Sequence, residues 1–166
     1  MSISDAVARA AAYLAEHPDE ARYRDSAATA RIESGLVASV IGPGGEQVQT
    51  DIPAGIGGTA TTVSPGWLLR AAAASCVASL IVIRASALGL TLGPVEVTVD
   101  SESDDRGILG IDDSIDAGAL SMRVVVAIGD PSPTGQDRQD LVSWALRHCP
   151  VTDTVARAVP ISVEVR

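Results

Sequence analysis

The chain has 166 residues, enough for one domain with a hydrophobic core and too few for two of ordinary size. With 46% hydrophobic and 20% charged residues it is too apolar to be a disordered chain. A formal charge of −9 leaves no basic face to release counterions from nucleic acid or to meet anionic lipid, so neither is an expected partner.

Every basic residue is an arginine, phenylalanine is absent, and Tyr13, Tyr23, Trp67 and Trp144 are the only aromatics. Such a core has small side chains, and burial in a dimer interface would add to it. The stretch Met1 to Arg9 lacks the basic start and pure apolar run of a signal peptide. The longest apolar run, Ala71 to Ile83, is about 13 residues, short of the roughly 20 that span a bilayer. The expectation is a cytoplasmic protein. With only two cysteines the chain is not a disulfide scaffold, and in a reducing compartment such a pair is either redox-active or merely buried.

Residues 4–16 read as a helix, with Ser4 as N-cap and a stop at His17-Pro18. We take residues 1–20 as an appended helix and 21–166 as a single domain. From Arg22 to about Thr50 the pattern is β. Ala28 to Ile32, Leu36 to Ile41 and Gln47 to Ile52, separated by glycine-containing turns, predict a three-stranded antiparallel meander. The glycine- and threonine-rich stretch from Pro53 to Ser64 suits a loop that approaches a partner or a site. Its glycines lack the spacing of a phosphate loop or a dinucleotide fingerprint.

Ser64-Pro65 opens a helix, serine capping and proline at the first helical position, that runs to Leu88 before Gly89, roughly 36 Å. Leu68, Leu69, Ala72, Cys76, Leu80 and Ile83 form one wide face, and Val77, Ile81 and Val82 fill much of the rest. A helix apolar nearly all round is expected to be buried nearly all round. Val95 to Asp100 alternates as a half-buried strand, and Leu120 to Ile128 is another, with Met122, Val124 and Val126 on one face. Between them the stretch Ser101 to Ala117 is acidic and lacks the pattern of a calcium loop. Thr134 is placed to cap a helix to Arg147 or His148, a short turn follows, and Val159 to Val165 reads as a closing strand. The fold class is α+β, with helices covering antiparallel sheets.

Cys76 lies inside the long apolar helix, and Cys149 follows the next helix in Arg147-His148-Cys149-Pro150-Val151. Each is compatible with a small core residue. The alternative to that default is a thiol that attacks a peroxide and a second thiol that resolves the sulfenic acid to a disulfide, reset by an external thiol. Cys76 has no helix N-terminus near it and would need a cation, an arginine in a chain without lysine. Cys149 precedes proline and is expected at a frayed, movable end. Trp67 and Trp144 are core residues by default and alternatively the walls of an apolar pocket. His17 and His148 are too far apart in sequence to suggest a zinc site, and no metal or cofactor is implied.

The string Ser64-Pro65-Gly-Trp-Leu-Leu-Arg-Ala-Ala-Ala-Ala-Ser-Cys76, together with His148-Cys149-Pro150-Val151 and Arg157-Ala-Val-Pro-Ile161, resembles the osmotically inducible protein C and organic hydroperoxide resistance family. The order of elements agrees from about residue 26 onward. The resemblance implies antiparallel sheets wrapped around long central helices in an intertwined homodimer, with two equivalent sites at the interface. It also implies thiol-dependent reduction of organic hydroperoxides, with Cys76 as nucleophile, Cys149 as resolver and an external dithiol as reductant. Active members add an arginine and a glutamate that orient the thiolate. Here Gly66 stands where that glutamate would follow Pro65. Arg31 is the candidate arginine, and Glu33 the candidate replacement for the carboxylate. The alternative is a dimer of the same fold that binds a small molecule or senses thiol redox state.

Overall fold

The computed structural model describes residues 1–165. The chain forms two compact units, one of residues Arg9–Leu69 and one of Met1–Ala8 with Arg70 onward.

Helix α1 spans Ile3–Glu16. Its cap is Ser2 rather than Ser4, because Ser2 and Asp5 bond reciprocally. Ser2 Oγ accepts the Asp5 N–H at 3.0 Å, and Asp5 Oδ2 accepts the Ser2 N–H at 3.1 Å. At the other end His17 stacks on Tyr13, ring centroids 4.3 Å apart, and Pro18 opens a single 3-10 turn over Pro18–Ala21.

The meander forms as the alternation predicts. Strands β1 (Thr29–Arg31), β2 (Ala38–Ile41) and β3 (Gln47–Thr50) pair antiparallel in chain order, with Ala30 opposite Val40 and Val40 opposite Val48. Gly45, at φ 90°, supplies the left-handed backbone that closes the β2–β3 turn. The following stretch is held by Asp51, only 2% exposed. Its carboxylate accepts N–H bonds from Ile52, Thr59 and Thr61 and hydroxyl bonds from Thr59 and Thr61. Those donors, the Thr59 hydroxyl foremost, keep the Asp51 carboxyl far below the ordinary carboxylate range despite its burial. Gly58 completes the loop, since a Cβ there would meet the Ile52 carbonyl oxygen at 1.7 Å.

In the other unit, α2 (Pro65–Ala87, whose first turn belongs to the meander's unit) lies with β4 (Val95–Glu102), α3 (Asp105–Ile108), β5 (Ser121–Ile128), α4 (Gly135–His148) and α5 (Pro150–Ala156). The helix begins as predicted, Ser64 Oγ accepting the Trp67 N–H at 3.1 Å. β4 and β5 form a two-stranded antiparallel sheet, Val97 opposite Val126. The alternate residues Met122, Val124, Val126 and Ile128 of β5 are the less exposed ones. The core gathers Val77 and Ile81 of α2 and Ala145 of α4 around Cys149, with Val95, Val97, Val126 and Ile128 of the sheet packed on it. Helices against antiparallel sheets make the α+β class expected from the sequence.

Within one chain, helix α2 buries one stripe, Ala73, Val77, Ile81 and Ala85. A two-stranded sheet and one neighbouring helix cover only one side of it, and Trp67 and Leu69 remain exposed. This helix is long and apolar enough by composition to cross a membrane. Its Arg70, however, donates to Ser101 Oγ of β4 at 3.2 Å, and its buried stripe faces the chain's own core. The stretch after Cys149 is a helix, not a turn, because Pro150 sits at its first position, where no N–H is needed. Residues 159–165 do not close a sheet. Val159, Ile161, Val163 and Val165 keep the strand alternation and lie exposed, in no strand among the described residues.

Candidate thiol site

Cys76 stands beside the buried Val77 on α2 and is itself half-buried. Cys149 has extended backbone, φ −77° and ψ 113°, which ends α4 and caps α5 in one residue. Both are free thiols. The core brings them together: Cys76 packs against the cluster that contains Cys149, and each thiol shifts the titration of the other.

Thr152 fixes Cys149. Its N–H points at Cys149 Sγ at 3.5 Å, while its hydroxyl lies 3.0 Å from the Leu146 carbonyl and 3.3 Å from that of Cys149. Cys149 is therefore fully buried at a rigid junction, not at a frayed end. Proline after it starts a helix in which the Thr152 N–H is turned to its sulphur.

The two thiols are electrostatically unlike. Burial pushes the Cys76 thiol up, and hydrogen bonding to Cys149 and the charge that Cys149 can carry push it further. Burial also pushes Cys149 up, but the Thr152 N–H and hydroxyl, the Cys76 thiol and the Val151 N–H outweigh it. Cys149 lies below the ordinary cysteine value.

No arginine is among the groups that shift Cys76. Arg84, two turns along the same helix, is held over the Trp144 ring at 5.0 Å. Trp144 in turn stacks on His148 at 4.2 Å, and His148 Nδ1 lies 2.8 Å from the Trp144 carbonyl oxygen. Trp144 and His148 thus belong to an outer stack on α4, and Trp67 is half exposed. Arg31 is exposed on β1, in the other unit, and makes no ion pair among the described residues. It lines a depression of about 490 Å³ that Glu33 also borders. Gly66 is the second residue of α2. An apolar groove of about 680 Å³, lined by Ile3, Val7, Ser79, Val82, Ile83 and Val95, begins one turn along α2 from Cys76.

The residues that sequence reading missed are Val151 and Thr152. The signal was present in Cys149-Pro150-Val151-Thr152, where proline one place after a polar residue marks a helix start as well as it marks a stop.

The family model described as OsmC-like protein matches residues 58–164, a span that contains both cysteines. An organic hydroperoxide resistance protein from Elizabethkingia anophelis has the same fold, with TM-score 0.62 and 21% identity over 82% of this chain and 91% of that one. An organic hydroperoxide resistance protein OsmC from Legionella pneumophila gives TM-score 0.61 and 18% identity over 81% and 90%. An OsmC-like protein of unknown function from Vibrio cholerae gives 0.65 and 12% over 80% and 94%. No curated protein sequence matches.

Proposed function

The chain belongs to the OsmC-like protein family, and from that premise we propose that it is a thiol-dependent peroxidase reducing organic hydroperoxides through Cys76 and Cys149. The observation that carries this reading is the packing of two free thiols in one core cluster, Cys76 half-buried and Cys149 buried. Two relatives of this fold bear the name organic hydroperoxide resistance protein.

Access supports these roles. Cys76 attacks the terminal oxygen of R–O–OH, the O–O bond breaks, and RO⁻ leaves to take a proton as the alcohol. Cys76 becomes a sulfenic acid. Cys149 then attacks the Cys76 sulphur, the S–O bond breaks, and the hydroxide leaves as water with one proton. An external dithiol reduces the disulfide in two exchanges. The groove from Ser79 to Ile83 offers the organic group an apolar surface.

Arg31, in no ion pair among the described residues, is the proposed cation for the Cys76 thiolate, with Glu33 beside it as carboxylate. A homodimer is the proposed setting. The uncovered faces of α2 and the exposed alternation of Val159, Ile161, Val163 and Val165 provide the apolar surface that a second copy would bury. We place the protein in the cytoplasm, where a thiol pair stays reduced.

The second reading, a redox sensor or small-molecule binder of the same fold, is favoured by Gly66, which leaves the first turn of α2 without the family carboxylate. The test is to add stoichiometric cumene hydroperoxide to the reduced protein, count thiols, and map the disulfide by mass spectrometry. Rapid loss of both thiols, abolished in Cys76→Ser, is expected. Survival of both thiols for hours would end the peroxidase reading, and oxidation without turnover by any dithiol would leave the sensor.

A further inference from the structure

The outer face of α4 carries charges that its own chain leaves unneutralised. Asp137, Asp140, Trp144 and Arg147 recur at helical spacing and share one stripe, beside the buried stripe of Leu141 and Ala145. With Arg84 of α2 and the leucines that follow that helix, Leu88 and Leu90, they line a cavity of about 410 Å³, large enough for a small molecule. Arg84 is half-buried, its guanidinium carbon 5.0 Å from the centre of the Trp144 ring, and that ring is fixed in turn by stacking on His148. A guanidinium held by its face keeps its N–H edge for an acceptor. Arg84 makes no ion pair among the described residues, and neither does Arg147, which is exposed one turn beyond Trp144.

The carboxylates of the same cavity do not reach these cations. Asp137 and Asp140 stand nearer the start of α4, about 15 Å and about 10 Å along its axis from Arg147. Asp140 accepts the Gln136 side-chain amide at 2.8 Å instead. The cavity therefore has a negative end, a positive end, and Trp144 with the two leucines as an apolar middle. We propose that it binds a zwitterion of about tripeptide length, its carboxylate on Arg84 and Arg147, its ammonium on Asp137 and Asp140, and an apolar side chain against Trp144. An extended tripeptide spans about 10 Å, which matches the separation of Asp140 from Arg147 along the helix. A simple anion meets the aspartates and a simple cation meets the arginines, so a ligand charged at both ends is selected over either. The site contains neither cysteine and stands whether or not the thiols reduce peroxides.

Two measurements test this. In the first, the tripeptide Ala-Leu-Ala is titrated into the wild-type protein by isothermal calorimetry at low salt, beside its N-acetylated and its C-amidated forms. The free peptide should bind with a Kd of about 1 mM or tighter, and each blocked form at least about tenfold more weakly. Equal affinity for the three peptides overturns the inference, as does the lack of saturable heat up to about 10 mM free peptide. Weakening by only one of the two blocks overturns it too, because a site for a lone cation or a lone anion would explain that result.

The second measurement locates the peptide. Trp67→Tyr leaves Trp144 as the only indole, and its emission should change as the free peptide saturates the protein. Emission unchanged at saturation places the peptide elsewhere and refutes the site. In the double variant Arg84→Gln, Arg147→Gln the carboxylate loses both partners, so the free and the amidated peptide should bind alike. A persisting preference for the free peptide in that variant is also a refutation. The calorimetry and the Trp144 emission need neither arginine replaced, so they decide the matter even if the double variant does not fold.

Discussion

Asp51 and Thr59 are joined twice, the same carboxylate oxygen accepting the Thr59 hydroxyl at 2.6 Å and the Thr59 N–H at 3.1 Å. This pair, with Thr61, gives the glycine- and threonine-rich loop its shape, so the loop is set by a buried anion and not by glycine flexibility. Asp51→Asn puts an NH2 group where donors converge. It should lower Tm by several degrees and expose residues 53–63 to limited proteolysis. The Asp51 carboxyl is depressed in the folded state, so its contribution is complete above the unfolded value of about 3.9 and declines as the pH falls below it. The Tm difference between wild type and Asp51→Asn should therefore be constant from about pH 7 to 5 and narrow below about pH 4.

Ile81 is among the largest fully buried side chains and touches the cluster that seats Cys149. Ile81→Ala should cost about 2–5 kcal/mol in urea unfolding, from lost transfer energy and the cavity left behind. Because the cavity opens beside Cys149, the variant should also react faster with a bulky alkylating reagent at that thiol.

Thr152→Val keeps the shape and the N–H but removes the hydroxyl that bonds the Leu146 carbonyl. Stability should fall by about 1 kcal/mol. The midpoint of the Cys149 thiol should rise, since the hydroxyl is one of the groups that lower it. A midpoint unchanged to within error would show that the backbone N–H groups suffice.

Gly66→Glu restores a carboxylate in the first turn of α2, where it also meets the favourable end of the helix dipole and removes a helical glycine. Peroxidase kcat/KM should rise several-fold, and the gain should vanish in the Arg31→Ala background. A gain independent of Arg31 would assign the family arginine's role elsewhere.

Ile161→Asp with Val163→Asp places two charges on the exposed apolar alternation near the C-terminus. Light scattering at micromolar concentration should report a dimer for the wild type and a lower mass for the double variant. A monomeric wild type would remove the proposed dimer.

The regular elements were legible because their signals are local. Ser64-Pro65 specifies a helix start by capping, and the alternation Met122, Val124, Val126 specifies a half-buried strand. The errors lie where a signal needs a partner to become structure. Val159 to Val165 alternates correctly, but a strand requires a neighbour, and the described chain provides none there. Apolarity likewise states what α2 should hide, not what its own chain has available to hide it, and one chain covers a single stripe. At the site, the two cysteines were visible through their surrounding motifs. Their mutual contact was not, because it is made by Val77 and Ala145 packing across some seventy residues of sequence. Proline after Cys149 was read as an end of order when it is the first residue of α5.

That junction makes the redox state of the sulphur readable in the backbone. The Thr152 amide is held by Cys149 Sγ, and a disulfide sulphur is a far poorer acceptor than a thiolate. On oxidation the amides of residues 151–153 should lose protection and exchange with deuterium sooner, while the amides at the middle of α2 keep theirs. The short helix Pro150–Ala156 is in this sense a gauge attached to the thiol, its first turn tightening on reduction and loosening as the electrons leave.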